Sequence, residues 1–184
     1  MEARTAMSMP SRCRNTSCAV LLFAVLGVAG PAAAQTVIIP GQLDTAMAGR
    51  MIAAVNQARQ QAGLGPVAPN VKLGQVAQAL ANDLAARRML THIDTKGRGI
   101  GDRFLQADYV YSVADELIAG GRPTPEDVVA QWLASPADRD NLLNPAVQEA
   151  GVGIAFRSED VAVGGLGNYW VLDLGLGVER GPGP

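Results

Sequence analysis

From Leu43 onward the apolar positions of the chain recur with a helical period. Met47, Met51, Val55, Ala58 and Ala62 are spaced by four, four, three and four, which draws one stripe along a helix of about five turns. Gly63 stops it. Asn70 is a good N-cap for a second helix, whose buried stripe is Leu73, Val76, Ala77, Leu80, Ala81 and Leu84. Its alanines favour helix and let a neighbour approach closely, and Arg87 and Arg88 suit its negative pole. A loop rich in turn formers, Thr91–Gly99, carries the only histidine, His92. A short helix over 101–107 is expected next, with Phe104 and Leu105 inward. Tyr109–Val113 reads as a strand leading into Ala114–Ile118.

After Gly120-Gly121, Thr124 caps a further helix, with Pro125 at its first position and Glu126 and Asp127 in its first turn. Val128, Val129, Trp132 and Leu133 form its inner face. Ser135-Pro136 ends it, and one more turn is expected between Asp138 and Leu143. The period then changes. Gly151–Phe156 and Tyr169–Leu174 are β-rich runs, and Val161-Ala162-Val163 is a candidate third, joined by polar or Gly-rich links as antiparallel hairpins. Helices first and strands later indicate an α+β domain whose helices cover a small antiparallel sheet.

Composition narrows the function classes. The 184 residues hold 48% hydrophobic side chains, with 15 basic and 17 acidic groups, which fits one globular domain and disfavours nucleic acid or a polybasic membrane contact. One His and two Cys cannot supply a structural zinc site of four nitrogen or sulfur ligands.

The first 34 residues read as a secretory signal peptide. Arg4, Arg12 and Arg14 form its positive region, Cys18–Gly30 is an uncharged run, and Ala32-Ala33-Ala34 offers small residues for cleavage. Up to Ala34 the apolar stretch is at the bottom of the range that spans a bilayer, and Pro31 breaks it. No stable membrane anchor is expected after cleavage, and the location is secreted, periplasmic or cell-envelope. Cys13 and Cys18 leave with this segment, so the mature chain is held by its core without disulfides. Loss of Arg4, Arg12, Arg14 and Glu2 leaves 12 basic and 16 acidic groups, a net charge of −4. Residues 35–44 are expected to be an extended arm, 45–177 the domain, and 178–184 a disordered tail.

The order of short motifs resembles the CAP superfamily (cysteine-rich secretory, antigen 5 and pathogenesis-related proteins), in its bacterial disulfide-free branch. Val55-Asn56 with Arg59 and Ala62-Gly63-Leu64 is similar to that branch's opening Asn-x-x-Arg…Ala-Gly-Leu helix. Leu73, Val76-Ala77 and then His92 follow its second helix and the loop after it. Ala114–Ala119 resembles the Gly-Glu-Asn-Ile segment with the Glu kept as Glu116. Trp132–Pro136 resembles Trp-x-x-Ser-Pro, with Arg139 and Asn141–Pro145 after it. Gly151-Val152-Gly153 and Tyr169-Trp170-Val171 match the closing strands. The similarity spans about residues 45–175.

The resemblance implies an α/β/α sandwich and a groove where the family's two His and two acidic residues meet. His92 and Glu116 occupy two of those positions. Ser135 stands where animal and plant members carry the second Glu, and Asp138 where the bacterial pattern has His. Asp115 and Leu117 replace the Gly and Asn that flank the first Glu. The leading expectation is a monomeric binding domain that takes a small lipid, peptide or envelope-derived ligand in a groove around His92, Glu116, Ser135 and Asp138. The alternative is a peptidase-like hydrolase in which His92 and Glu116 form an acid–base pair, with Ser135 as a candidate nucleophile. A thiol nucleophile is excluded in the mature chain. His92, Glu116 and Asp138 are also weak candidates to hold a divalent ion, and no other cofactor is implied. A third reading is a structural His–carboxylate cluster, in which the acids raise the imidazole pKa above about 6.5.

Overall fold

The computed structural model describes residues 45–178 apart from 163. The segments expected to be a signal peptide and an extended arm, up to residue 44, and the expected tail beyond Val178 lie outside the described residues. Six helices and four strands follow one another: α1 (Thr45–Gln61), β1 (Ala68–Pro69), α2 (Val71–Arg87), α3 (Ile100–Gln106), β2 (Tyr111–Gly120), α4 (Pro125–Ala134), α5 (Pro136–Leu142), β3 (Glu149–Phe156), α6 (Ser158–Ala162) and β4 (Asn168–Gly177). None of the described helices is long and apolar enough to cross a membrane.

The strands form one sheet in the order β1-β3-β4-β2. β4 pairs antiparallel with both β3 and β2, while the two residues of β1 add a short parallel edge to β3. Alternation along the strands gives the sheet two faces. Leu117 and Ala119 of β2, Val152 of β3 and Trp170, Leu172 and Leu174 of β4 pack with Met51 and Val55 of α1 and Val128 and Trp132 of α4. The opposite face receives α2: Ala77, Leu80, Ala81 and Leu84 pack on Tyr169 and Val171. Leu73 and Val76 continue that layer onto Phe104 of α3 and Tyr109. The result is an α/β/α sandwich.

The α2 layer sits unusually close to β3, and glycine is the reason. A Cβ on Gly151 would lie 2.1 Å from the Leu73 carbonyl carbon, and one on Gly153 would lie 2.1 Å from the Ala77 oxygen. The helix backbone rests directly on the strand backbone, so the Gly151-Val152-Gly153 motif is a contact surface. Asn70 caps α2 as expected, its side chain accepting from the Lys72 and Leu73 amides. Thr124 does the same for α4 through Asp127 N–H.

Several expectations change. β2 begins at Tyr111 and runs to Gly120, so the strand contains Glu116, while Tyr109 is a core residue edge-on to Phe104 at a centroid distance of 5.2 Å. Leu105 points outward at 55% exposure, because α3 turns its Phe104 and Arg103 side inward. Val161 lies in the helix α6 instead of a strand, since acidic Glu159 and Asp160 fill the first turn of a five-residue helix there. Ala62 is exposed, because α1 ends at Gln61. The parallel β1 edge has no counterpart in the hydrophobic pattern, as two residues are too few to show a period.

Candidate functional site

The site grows from the loop between α2 and α3. α2 ends with Arg88 in the left-handed region at φ 54°, which turns the chain sharply out of the helix. The loop then closes on itself around Asp94. Its Oδ1 accepts from the Lys96 and Arg98 amides, each at 2.9 Å, and its Oδ2 accepts from Arg98 Nε at 2.8 Å. Burial raises the Asp94 pKa, but the Arg98 pairing and the amide bonds outweigh it and bring the carboxyl to about 2. Arg87 donates to the Ile93 carbonyl at 2.9 Å, and Asp83 accepts from the Thr95 amide at 3.2 Å. The loop is therefore fastened just beyond the histidine and again at its far end.

His92 projects from this frame with its side chain 63% exposed, and its Nδ1 meets Glu116 Oε1 at 2.8 Å. An ionised carboxylate only accepts, so Nδ1 carries the proton and Nε2 is the ring nitrogen left for solvent or a ligand. Glu116 sits on β2 with its side chain 2% exposed. Its second oxygen pairs with Arg103 Nη2 from α3. Arg103 Nη1 also donates to the carbonyl of His92 at 2.9 Å and to that of Arg98 at 2.8 Å. One guanidinium thus holds both the backbone of the histidine and the carboxylate that orients its ring.

The hydrogen bond to Glu116 raises the His92 pKa against partial burial, aided by the charge of Glu116 and, more weakly, of Asp138, while Arg103 opposes. Asp173 completes the cluster. It is fully buried on β4, directly across the ladder from Glu116, and burial pushes its carboxyl well above the usual range.

Of the four residues expected to meet, His92 and Glu116 are in direct contact and Asp138, in the first turn of α5, acts on the imidazole only through its charge. Ser135 sits at the α4–α5 junction, where its amide donates to Trp132 and its carbonyl accepts from Arg139. Its hydroxyl is not among the partners of His92. The flanking departures from the family pattern have local explanations. Asp115 accepts from Asn144 Nδ2 at 2.7 Å and braces the chain before Pro145, and Leu117 is a fully buried core residue.

Sequence reasoning missed Arg103, Asp173 and Asp94. Two left a signal: Arg103 lies on the apolar side of a short helix, beside Phe104, and Asp173 interrupts an apolar run, Val171-Leu172-Asp173-Leu174.

The donor set suits a divalent metal poorly. Both Glu116 oxygens are already engaged, by an imidazole and a guanidinium, so a cation would have to displace Arg103. Among the described residues no group of three or more His, Cys, Asp or Glu is placed to hold a metal ion. A depression of about 650 Å³ opens elsewhere, at the start of α2, and His92 is not among its walls. One of its two carboxylates, Glu149, is occupied by Tyr109 Oη at 2.6 Å and Asn70 Nδ2 at 2.7 Å.

Comparisons with known proteins agree with this fold. The sequence is 32% identical over 104 residues to the uncharacterized protein YkwD of Bacillus subtilis, a match covering 56% of this chain and 40% of that protein. The fold is similar to that of an extracellular protein containing an SCP domain from Bacillus anthracis, with a TM-score of 0.62 and 20% identity over 71% of this chain and 40% of that one. It is similar to an outer surface protein of Borrelia burgdorferi at a TM-score of 0.62 and 21% identity, over 70% of this chain and 90% of that one. This chain spans about two fifths of the length of the two Bacillus proteins. Residues 52–174 match the model of the cysteine-rich secretory protein family, and with the sandwich and the His92–Glu116 pair in place, the chain belongs to that family, CAP.

Proposed function

We propose that the protein is an exported CAP domain that binds a small amphipathic ligand, a lipid or an apolar peptide, over His92. One observation carries the reading: a fixed, exposed imidazole shares its loop with exposed apolar side chains. Met89, Leu90 and Ile93 are 52%, 43% and 47% exposed on the same fastened loop. Apolar side chains held outward on a rigid frame give contact area with little ordering cost, and a single polar group among them orients what binds. The extracellular and outer-surface descriptions of the two structural relatives, together with the N-terminal segment, support export.

The test is mass spectrometry of lipids, peptides and metabolites that co-purify with the protein from its producing cell, compared with Ile93→Ser and His92→Ala. The reading expects one compound class enriched on the native protein, reduced at least tenfold by Ile93→Ser and weakened by His92→Ala. An identical profile for all three proteins rejects it. Loss of stability in His92→Ala with the bound compounds unchanged points instead to a purely structural cluster.

One observation favours a second reading. A base must be oriented before it can activate water, and the 2.8 Å bond from Nδ1 to Glu116 supplies that orientation. A hydrolase of this kind loses cleavage of a peptide library on His92→Ala; unchanged cleavage removes it.

A further inference from the structure

Asp173 lies in the middle of β4 with no exposed surface, and neither of its oxygens receives a hydrogen bond from an N–H or hydroxyl donor. A buried carboxylate left in that state costs several kcal/mol, which native cores do not tolerate without a reason. Across the ladder its partner is Glu116. Directly opposed residues on adjacent strands carry Cβ atoms roughly 4.5–5.5 Å apart on one face. Two carboxyl groups therefore share one cation, Arg103, which is already bound to Glu116 and to two carbonyls. A proton is the remaining way to satisfy both acids.

We propose that Asp173 is a positioning residue for His92: as a neutral carboxylic acid it donates its O–H to the Glu116 carboxylate and, with Arg103, fixes the oxygen that meets Nδ1. Burial, then the charge and hydrogen bond of Glu116, favour the protonated form of Asp173, with Arg103 opposing. The charged groups that act on Asp173 are Glu116 from β2 and Arg103 from α3; His92 faces these two and Asp138 of α5. With Asp173 neutral, Arg103 offsets part of the Glu116 charge, and the imidazole pKa is raised by its bond to Glu116 and by the charges of Glu116 and Asp138 alone. With Asp173 ionised, His92 would face a third carboxylate beside Glu116 and Asp138, against one guanidinium, and hold its proton to a higher pH. The inference concerns the free domain and stands whether or not the ligand reading does.

His92 is the only histidine in the chain, so its ring C–H signals in a proton NMR titration need no assignment. Two variants separate the outcomes. In Asp173→Asn the amide still donates and stays neutral, so the His92 midpoint is expected to stay within about 0.3 pH of the native protein, with a slowly exchanging Nδ1–H. A fall of about one pH or more would show that native Asp173 is charged and would overturn the proposal. Asp173→Val fills the space without a donor. There the midpoint is expected to fall by about half a pH or more and the Nδ1–H to exchange faster, because Glu116 has lost one of its holders. An unchanged midpoint, with native indole signals from Trp132 and Trp170 certifying the fold, overturns it as well. If the Val variant does not fold, infrared difference spectra of the native and Asn proteins decide. A protonated-carboxyl band at neutral pH that vanishes in Asp173→Asn is expected, and its absence in the native protein rejects the proposal.

Discussion

Two arginines are buried in this domain, one on each side of the sheet, and they do opposite things. Arg59 of α1 is 1% exposed and has no acid partner among the described residues; it donates to the carbonyls of Gly65, Leu142 and Asn144 at 3.0 Å and of Val147 at 3.3 Å. It ties the segments before β1 and before β3 to the opening helix, and every one of its partners is backbone. Arg103 is 4% exposed and also binds two carbonyls, but its remaining arm holds Glu116 in a cluster that contains His92 and Asp173. The Asn-x-x-Arg motif is thus a loop clamp with no titrating partner. Arg103 is wired to groups whose charge can change. Burial of an arginine alone does not mark a site; the kind of acceptor does.

The most disruptive way to sharpen this contrast is to truncate each guanidinium in turn. Arg59→Met and Arg103→Met are each expected to cost about 3–5 kcal/mol in urea unfolding, the first through stranded carbonyls and the second through an unpaired buried carboxylate. They should differ in pH dependence. The Arg59 loss is flat from pH 5 to pH 8. The Arg103 loss is greatest at neutral pH and shrinks on acidification, because a carboxyl without its cation is raised in the folded state and its penalty vanishes once both states are protonated. Parallel pH profiles for the two variants would break the comparison.

A smaller effect is expected from Gly151→Ala, which probes the face that carries the site. The added methyl meets backbone atoms of α2, which cannot rotate away, so about 1–3 kcal/mol of stability is lost. Because α2 feeds the His92 loop, the histidine NMR signals should shift as well. An Ala variant as stable as the native protein would show that the helix has slack against the sheet.

The smallest expected effect is that of His92→Ala. A raised folded-state pKa means that the ion pair with Glu116 stabilises fully below about pH 6.5 and that this contribution is lost as pH rises through the folded value. The ring is 63% exposed, so screening by water holds the contribution to a fraction of 1 kcal/mol. Urea midpoints of native and variant proteins should therefore differ slightly at pH 5, and the difference should shrink as pH rises. A gap that widens with pH would contradict the assignment.

The helical stripes were legible because burial repeats along them: Leu73, Val76, Ala77, Leu80, Ala81 and Leu84 are all buried where the period puts them. Caps at Asn70 and Thr124 were legible because few residue types serve there. His92 and Glu116 were reached through the resemblance, since nothing in their separation along the chain brings an imidazole to a strand. The rest depends on tertiary neighbours. Whether Arg103 meets an acid or only carbonyls is decided by which strand α3 lies beside, and Asp173 becomes a partner of Glu116 only once the β2–β4 register is set. Val161 misled because a β-branched run carries no record of the short acidic turn that precedes it.

A chain with one imidazole also has a built-in limit on how sharply it can answer to acidity. A lone proton on a lone ring spreads its transition over about two pH units. Whatever His92 does, a single copy of this domain reports its surroundings as a gradual dial, and any abrupt response has to be assembled from several copies acting together.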